Sequence, residues 1–308
     1  EEGVLVRRGA DRDARNGGQF GVAMHYVFEP LDTEFGAFFM NYHSRDPILS
    51  GQAAPQSAYN AAIGAGALAP MIVAGNSSYY VEYPEDIRLY GLSFATTLST
   101  GTRWKGELSY RPNAPVQLNS NDLLYANVTL LPGLAEASPL SVTPGADIQG
   151  YRRKEVSQFQ TSLAHTFDNG MGADRMTLIG EVGMTHVAGL EGNSERRYGR
   201  DPVFGSAGND GFTTANSWGY RARAVWEYNH VYPSLRLKPN LAWSHYVSGY
   251  SPGPENTFEE GRKAVSVGVD AEYQNTYTSS LSYTNFFGGR YSTLSDRDFM
   301  ALSVGIKF

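Results

Sequence analysis

Apolar and polar residues alternate with a period of two in eleven separate stretches of this chain, and the connections between those stretches alternate in length. Period two sends successive side chains to opposite faces of a strand, so each stretch has one apolar and one polar face. In residues 102–111, Trp104, Leu108 and Tyr110 fall on one face and Arg103, Lys105, Glu107, Ser109 and Arg111 on the other. In residues 217–228, Trp218, Tyr220, Ala222, Ala224, Trp226 and Tyr228 oppose Arg221, Arg223 and Glu227. Leu235, Leu237, Leu241, Trp243 and Val247 oppose Arg236, Lys238, Asn240 and Ser244, and Val265, Val267, Val269, Ala271 and Tyr273 oppose Ser266, Gly268, Asp270 and Glu272. Fainter versions occupy residues 18–28, 33–43, 86–98, 156–167, 175–187, 278–287 and 298–308.

Turn-forming residues mark short connections at 29–32, 99–101, 168–174, 229–234 and 274–276. Long polar connections lie between them, at 44–85, 112–155, 188–214 and 248–262, with a moderate one at 288–297. All the short connections therefore fall at one end of the strands and all the long ones at the other. Outer-membrane barrels follow this rule, with short periplasmic turns and long extracellular loops, and each stretch has about the length a tilted strand needs to cross a bilayer.

Composition agrees without deciding. No apolar run approaches the ~18 residues of a spanning helix, and a mean hydropathy of -0.36 suits a barrel because only alternate residues meet lipid. Aromatic residues make up 13%, with 20 Tyr, as in chains with aromatic girdles at a water–apolar boundary. The absence of Cys removes disulfide scaffolds, thiol catalysis and Cys-based zinc sites, and a net charge of -6 with no basic stripe argues against a nucleic-acid partner. The last strand alternates Leu302, Val304, Ile306 and Phe308 with Ala301, Ser303, Gly305 and Lys307. Its terminal Phe308 is similar to the aromatic signal read by the barrel-assembly machinery.

The fold expected is therefore all-β: an antiparallel transmembrane β-barrel of the outer-membrane type, with residues 1–17 as an extracellular loop segment and residues 18–308 as the strands. Eleven is odd, whereas bacterial single-chain barrels have even numbers. No signal peptide is visible at Glu1, so the chain is either mature or a fragment; the first strand enters from the outside, so either a strand escapes the pattern or, as the charged segment 1–16 favours, the chain is the C-terminal part of a longer barrel.

Several phrases carry a resemblance. Residues 18–23 (Gly-Gln-Phe-Gly-Val-Ala), 32–36 (Asp-Thr-Glu-Phe-Gly) and 40–45 (Met-Asn-Tyr-His-Ser-Arg) resemble the proteobacterial outer-membrane family known as domain of unknown function 1302. Residues 83–94, 106–113 and 180–183 are similar as well. The resemblance implies a barrel, usually longer at its N-terminus, often found beside resistance-nodulation-division envelope transporters and periplasmic lipoprotein-like partners. It further implies export or passage of a hydrophobic molecule, and it supplies no catalytic or binding residue.

If lipid meets the apolar faces, a lumen meets Arg103, Lys105, Glu107, Arg111, Glu181, Arg221, Arg223, Glu227, Arg236, Lys238, Asp270 and Glu272. Those charges read either as a selective, water-filled path or as cross-strand pairs that stitch the wall. Small residues on the same face of the last strands (Ser266, Gly268, Ser280, Ser282, Thr284, Ala301, Ser303 and Gly305) leave room for a cavity or follow from sharp curvature. The apolar stretch 58–73 reads as a constriction, as a receptor for a hydrophobic ligand, or as a short helix packed on the rim. Loop 112–155 is placed to cap the mouth.

Enzymatic chemistry is weakly written. His25, His43, His165, His186, His230 and His245 have no metal-binding spacing, so no metal and no cofactor are expected. Phospholipase-like Ser/His catalysis would rest on His245 or His186 near the outer rim. Residues 11–17 are similar to a calcium loop, but Arg15 occupies a ligand position, which makes them a solvated turn. Glu191, Glu195, Arg196, Arg197 and Arg200 form either a lipopolysaccharide-phosphate bridge or an ordinary loop. The expected function is a conduit, not an enzyme, for a hydrophobic or amphipathic small molecule or lipid. Its partners would be outer-membrane lipid and lipopolysaccharide, the assembly machinery, and a periplasmic lipoprotein and envelope transporter. A general diffusion porin and a structural or adhesive barrel with a plugged lumen are the alternatives.

Overall fold

Each of the eleven alternating stretches is a strand in the computed structural model, which describes residues 5–253 and 257–307 and, within them, all side chains but that of His230. The chain runs β1 (Arg7–Arg8), β2 (Phe20–Phe28), β3 (Thr33–Tyr42), β4 (Ile48–Gln52), α1 (Gln56–Ala62), α2 (Ala69–Gly75), β5 (Ser78–Glu82), β6 (Ile87–Thr97) and β7 (Arg103–Gln117). It continues through α3 (Ser120–Tyr125), β8 (Asp147–Ile148), β9 (Tyr151–Asp168), β10 (Arg175–Val187), β11 (Asn216–Tyr232), β12 (Leu235–Ser248), β13 (Lys263–Tyr273), β14 (Tyr277–Phe287) and β15 (Phe299–Ile306). Eleven of these strands form one antiparallel sheet in the order β15-β14-β13-β12-β11-β10-β9-β7-β6-β3-β2. Among the described residues β2 and β15 are its two edges. Phe308, expected to carry the assembly signal, lies outside the described residues.

Neighbours in the sheet are neighbours in sequence, as hairpins require. The short connection from β13 to β14 sets Gln274 and Asn275 both at φ 55°, the left-handed pair whose twist matches that of the strands it joins. Three irregularities break the ladders: between Arg111 and Ala114 on β7, between Tyr228 and Tyr232 on β11, and where Trp218 pairs with Ser248 but Gly219 with Tyr246. The first corrects the sequence reading, which began a loop at Pro112. Lacking a donor, Pro112 sits in a bulge, and β7 and β9 pair on beyond it from Ala114↔Lys154 to Gln117↔Tyr151.

The long connections build a cap at one end of the sheet. A small sheet ordered β1-β5-β4-β8 draws one strand from the N-terminal segment, two from loop 44–85 and one from the loop after β7. Ion pairs from Arg12 to Asp147 at 2.8 Å and from Arg15 to Asp86 at 2.6 Å fasten the N-terminal segment to it. Residues 11–17 are largely exposed, as the expected solvated turn would be, and these exposed ion pairs tether them. Stretch 58–73 forms α1, a 3₁₀ turn and α2, and it packs on Val128 and Leu131 of the loop after β7 instead of entering the sheet's polar face.

Most of the buried apolar residues gather in this cap and at the cap-side ends of β7, β9 and β10. One cluster joins Ala114, Val116, Leu118, Leu123, Ala126, Leu140, Val156, Val187 and Tyr198, and a second joins Ala54, Ala58, Tyr59, Ala62, Val73, Val128 and Leu131. The large sheet does the reverse. Phe20, Val22, Met24 and Tyr26 of β2, Leu92 of β6, Leu108 of β7, Val267 of β13, and Met300, Leu302 and Val304 of β15 are all exposed.

Candidate functional site

Cross-strand register puts the predicted charges on a single face. Glu34 pairs with Ala95, Ala95 with Lys105, Lys105 with Ser162, Ser162 with Glu181, Glu181 with Arg221 and Arg221 with Ser244, one row across seven strands. The next row toward the cap runs His25, Gly36, Ser93, Glu107, Gln160, Gly183, Gly219 and Tyr246. The next away from it takes Arg103, Ala164, Ile179, Arg223, Ala242, Ser266 and Thr284. Arg111 and Glu227 follow on the same parity of β7 and β11, and Arg236↔Glu272 and Lys238↔Asp270 complete the twelve on β12 and β13.

The charges are arranged differently at the two ends of the face. Near the short turns, Arg236 meets Glu272 at 3.3 Å, Lys307 meets Glu272 at 3.0 Å and Lys238 meets Glu227 at 3.4 Å. These exposed pairs stitch the wall, each worth at most about 1 kcal/mol. They border a cavity of about 210 Å³ whose floor is Thr278, Ser280 and Ser303, so the small residues do leave room there. On the central strands, Arg103, Lys105, Glu107, Glu181 and Arg223 make no ion pair among the described residues. A second cavity of about 330 Å³ lies against Lys105, Glu107, Gln160, Ser162, His25 and Glu34. His25 Nδ1 sits 2.9 Å from Glu34 Oε1 there, a cross-strand contact that the parity of β2 and β3 carries but sequence reasoning did not pick out.

The face is covered in part by a segment not singled out from sequence. Between β12 and β13 the chain folds back so that Phe258, buried, lies over Gly183, where a Cβ would stand 3.1 Å from its ring. Phe258 packs edge-on against Tyr246 at 5.4 Å, and Tyr246 in turn fills the space above Gly219. Arg221 Nη2 donates to the Tyr246 hydroxyl at 2.8 Å, and the Arg262 guanidinium stacks 4.4 Å above the same ring. Aromatic side chains thus occupy the space that two glycines of the polar face leave. Ser251, Pro252, Gly253 and Thr257 of the segment reach a cavity shared with β3, β6, β7 and β9, across the face from the strands they connect. Such a reach requires the sheet to curl.

The acidic and basic cluster of loop 188–214 is put to internal use. Lys154 Nζ and Arg196 Nη1 each donate to Glu191 at 2.8 Å, and the Tyr198 hydroxyl donates at 2.6 Å. Burial works to raise the Glu191 carboxyl, but the hydrogen bonds from Lys154, Tyr198, a backbone N–H and Arg196 outweigh it and bring it down to about 2. Arg197 forms a buried pair with Asp122. Arg200 is buried too, 4.0 Å over the Phe212 ring, and donates to the carbonyls of Gly205, Ala207 and Asp210, while burial depresses its pKa. Arg197 and Arg200 are therefore not presented outward to phosphate.

On the apolar face, His186 Nδ1 meets Asn216 Oδ1 at 2.8 Å and the His245 ring stacks 5.6 Å from Tyr220. No serine hydroxyl lies within hydrogen-bond distance of either ring among the described residues. No group of three or more His, Asp or Glu side chains that could hold a metal occurs among the described residues.

The model of the family described as protein of unknown function (DUF1302) covers residues 1–308. The chain belongs to the DUF1302 family. No curated protein matches it. DUF1302 membership fixes kinship without assigning an activity, so function has to be argued from the two faces of the sheet.

Proposed function

We propose that this DUF1302 chain forms the wall of an outer-membrane β-barrel that passes a hydrophobic or amphipathic small molecule or lipid between the periplasm and the outside. One observation carries the reading: an eleven-stranded sheet that leaves its apolar face bare while its polar face is continuous and charged. Soluble proteins rarely expose contiguous apolar patches beyond several hundred Å². In a bilayer that face meets lipid, and charges of the opposite parity avoid the roughly 2 to 4 kcal/mol that Arg or Lys costs at the midplane. The connections support it, short at one end and folded into a cap at the other. On this reading the apolar face touches outer-membrane lipid, with lipopolysaccharide at the cap end, the assembly machinery inserts the chain, and a periplasmic lipoprotein and envelope transporter serve the short-turn end.

The segment bearing Phe258 favours a selective conduit over a general diffusion porin, since it occupies space an open pore needs. Purified protein in planar bilayers is expected to show no large steady openings, while proteoliposomes accelerate transfer of a hydrophobic fluorescent probe across the membrane. Large steady openings would make the protein a porin, and silence with no transfer would make it a structural or adhesive barrel.

A further inference from the structure

The polar face turns apolar at its cap end, and the guanidinium of Arg111 stands in the apolar part. Met40 pairs with Gly21 and Leu89, Tyr42 pairs with Ile87, and Val156 lies between Arg111 and Val187. Strand parity assigns all of these to the face that lower down carries Ser93, Glu107 and Gln160. Over them lies a partly open cavity of about 550 Å³ that Pro252, Gly253 and Thr257 also line. That volume falls within the range of single small-molecule sites, which are mostly apolar with a few placed polar groups.

Arg111 supplies the placed group. One guanidinium nitrogen, Nη2, donates to Gln158 Oε1, but Nε is buried and has no hydrogen-bond partner. Arg111 makes no ion pair among the described residues. Leaving a buried donor unmade is costly, and a charged donor more so. Of the other charged side chains on the cavity, Arg45 and Asp46 offset one another, leaving Arg111 as the unbalanced charge. His43 is already committed: its Nδ1 accepts the Asp86 N–H at 3.0 Å, so its Nε2 donates to the Gly17 carbonyl at 2.8 Å.

We propose that this cavity binds an amphipathic monocarboxylic acid, with the carboxylate on Arg111 and the apolar tail along Met40 and Leu89, which Ile87 and Val156 back. A carboxylate provides the planar acceptor that a guanidinium fork matches, and the surrounding wall rewards a tail and not a second charge. The proposal deepens the conduit reading on which it rests, by naming the class of molecule held at the outer end of the path.

The test is equilibrium binding of radiolabelled dodecanoic acid to the intact protein in detergent micelles, with competition by unlabelled dodecanoic acid or dodecan-1-ol. The acid is expected to displace the label at least about tenfold better than the alcohol, as a charge-assisted hydrogen bond predicts. Arg111→Met should erase that preference, and Leu89→Trp, which fills the cavity, should abolish binding of both. Equal displacement by acid and alcohol in the native protein overturns the proposal, and so does a preference for acid that survives in Arg111→Met. If Arg111→Met does not fold, the native comparison still decides. Failure to bind alongside intact probe transfer in proteoliposomes removes this site and leaves the conduit. Binding without transfer does the opposite.

Discussion

Leu92 stands at the middle of β6 with 60% of its surface exposed, on the face assigned to lipid. Its replacement by Arg separates two solvents. In water the residue keeps less than half of its surface against protein, so losing it costs under about 1 kcal/mol, and an exposed Arg adds almost nothing. In a bilayer the guanidinium would have to sit near the midplane, at roughly 2 to 4 kcal/mol. At about 1.4 kcal/mol per tenfold, that lowers the folding equilibrium roughly 30-fold to nearly 1,000-fold. Gln160→Arg is the matched control, because Gln160 is exposed on the polar face and pairs with Glu107. The assay is reversible denaturant unfolding in phospholipid vesicles, followed by tryptophan fluorescence and by the mobility shift of folded protein on unheated gels. Leu92→Arg should lose at least 2 kcal/mol and Gln160→Arg under about 0.5 kcal/mol. Equal losses at the two positions would refute the assignment of faces, and Val267→Arg on β13, 57% exposed, repeats the test six strands away by sheet order.

Glu191 has a depressed folded pKa, so its contribution is complete above its ordinary value near 4.5 and is lost as pH falls toward about 2. Protease resistance of loop 188–214 should fall across that window, and Glu191→Gln should lower resistance at pH 7 and flatten the pH dependence. Asp122→Asn leaves Arg197 buried without its anion and should cost about 3 to 5 kcal/mol, read as early cleavage within the cap while the sheet stays protected. Phe258→Ala clears the space above Gly183 and should raise conductance in planar bilayers, and an unchanged trace would mean that the aromatic does not narrow the path.

The strands were legible because each carries its own two-faced pattern, and a hairpin sheet needs no information from distant residues. The cap was not. Arg12 pairs with Asp147 and Gly150 packs on Leu49, contacts spanning more than a hundred residues that no local period records. Stretch 58–73 showed its apolar character, but its partner, the stretch that carries Val128 and Leu131, offered no matching signal. Pro112 hid the outward continuation of β7, since a residue that ends most strands here sits in a bulge. Among the site residues, charge and parity were enough to put all twelve on one face, whereas which of them pair depended on register. The crossing segment left only an indirect trace, in Gly183 and Gly219, two adjacent glycines whose space Phe258 and Tyr246 fill.

The segregation of buried apolar side chains into the cap has a consequence for how the molecule comes apart. Its two parts answer to different surroundings. The cap is held by the exclusion of water, so urea and mild heat act on it directly. The sheet presents its apolar residues outward, and in the bilayer proposed for it its cohesion would come from hydrogen-bonded ladders and from the lipid against that surface, so chain length and thickness of the lipid would govern it instead. A single midpoint of unfolding is therefore the wrong description: lipid composition should move one transition and leave the other where it was.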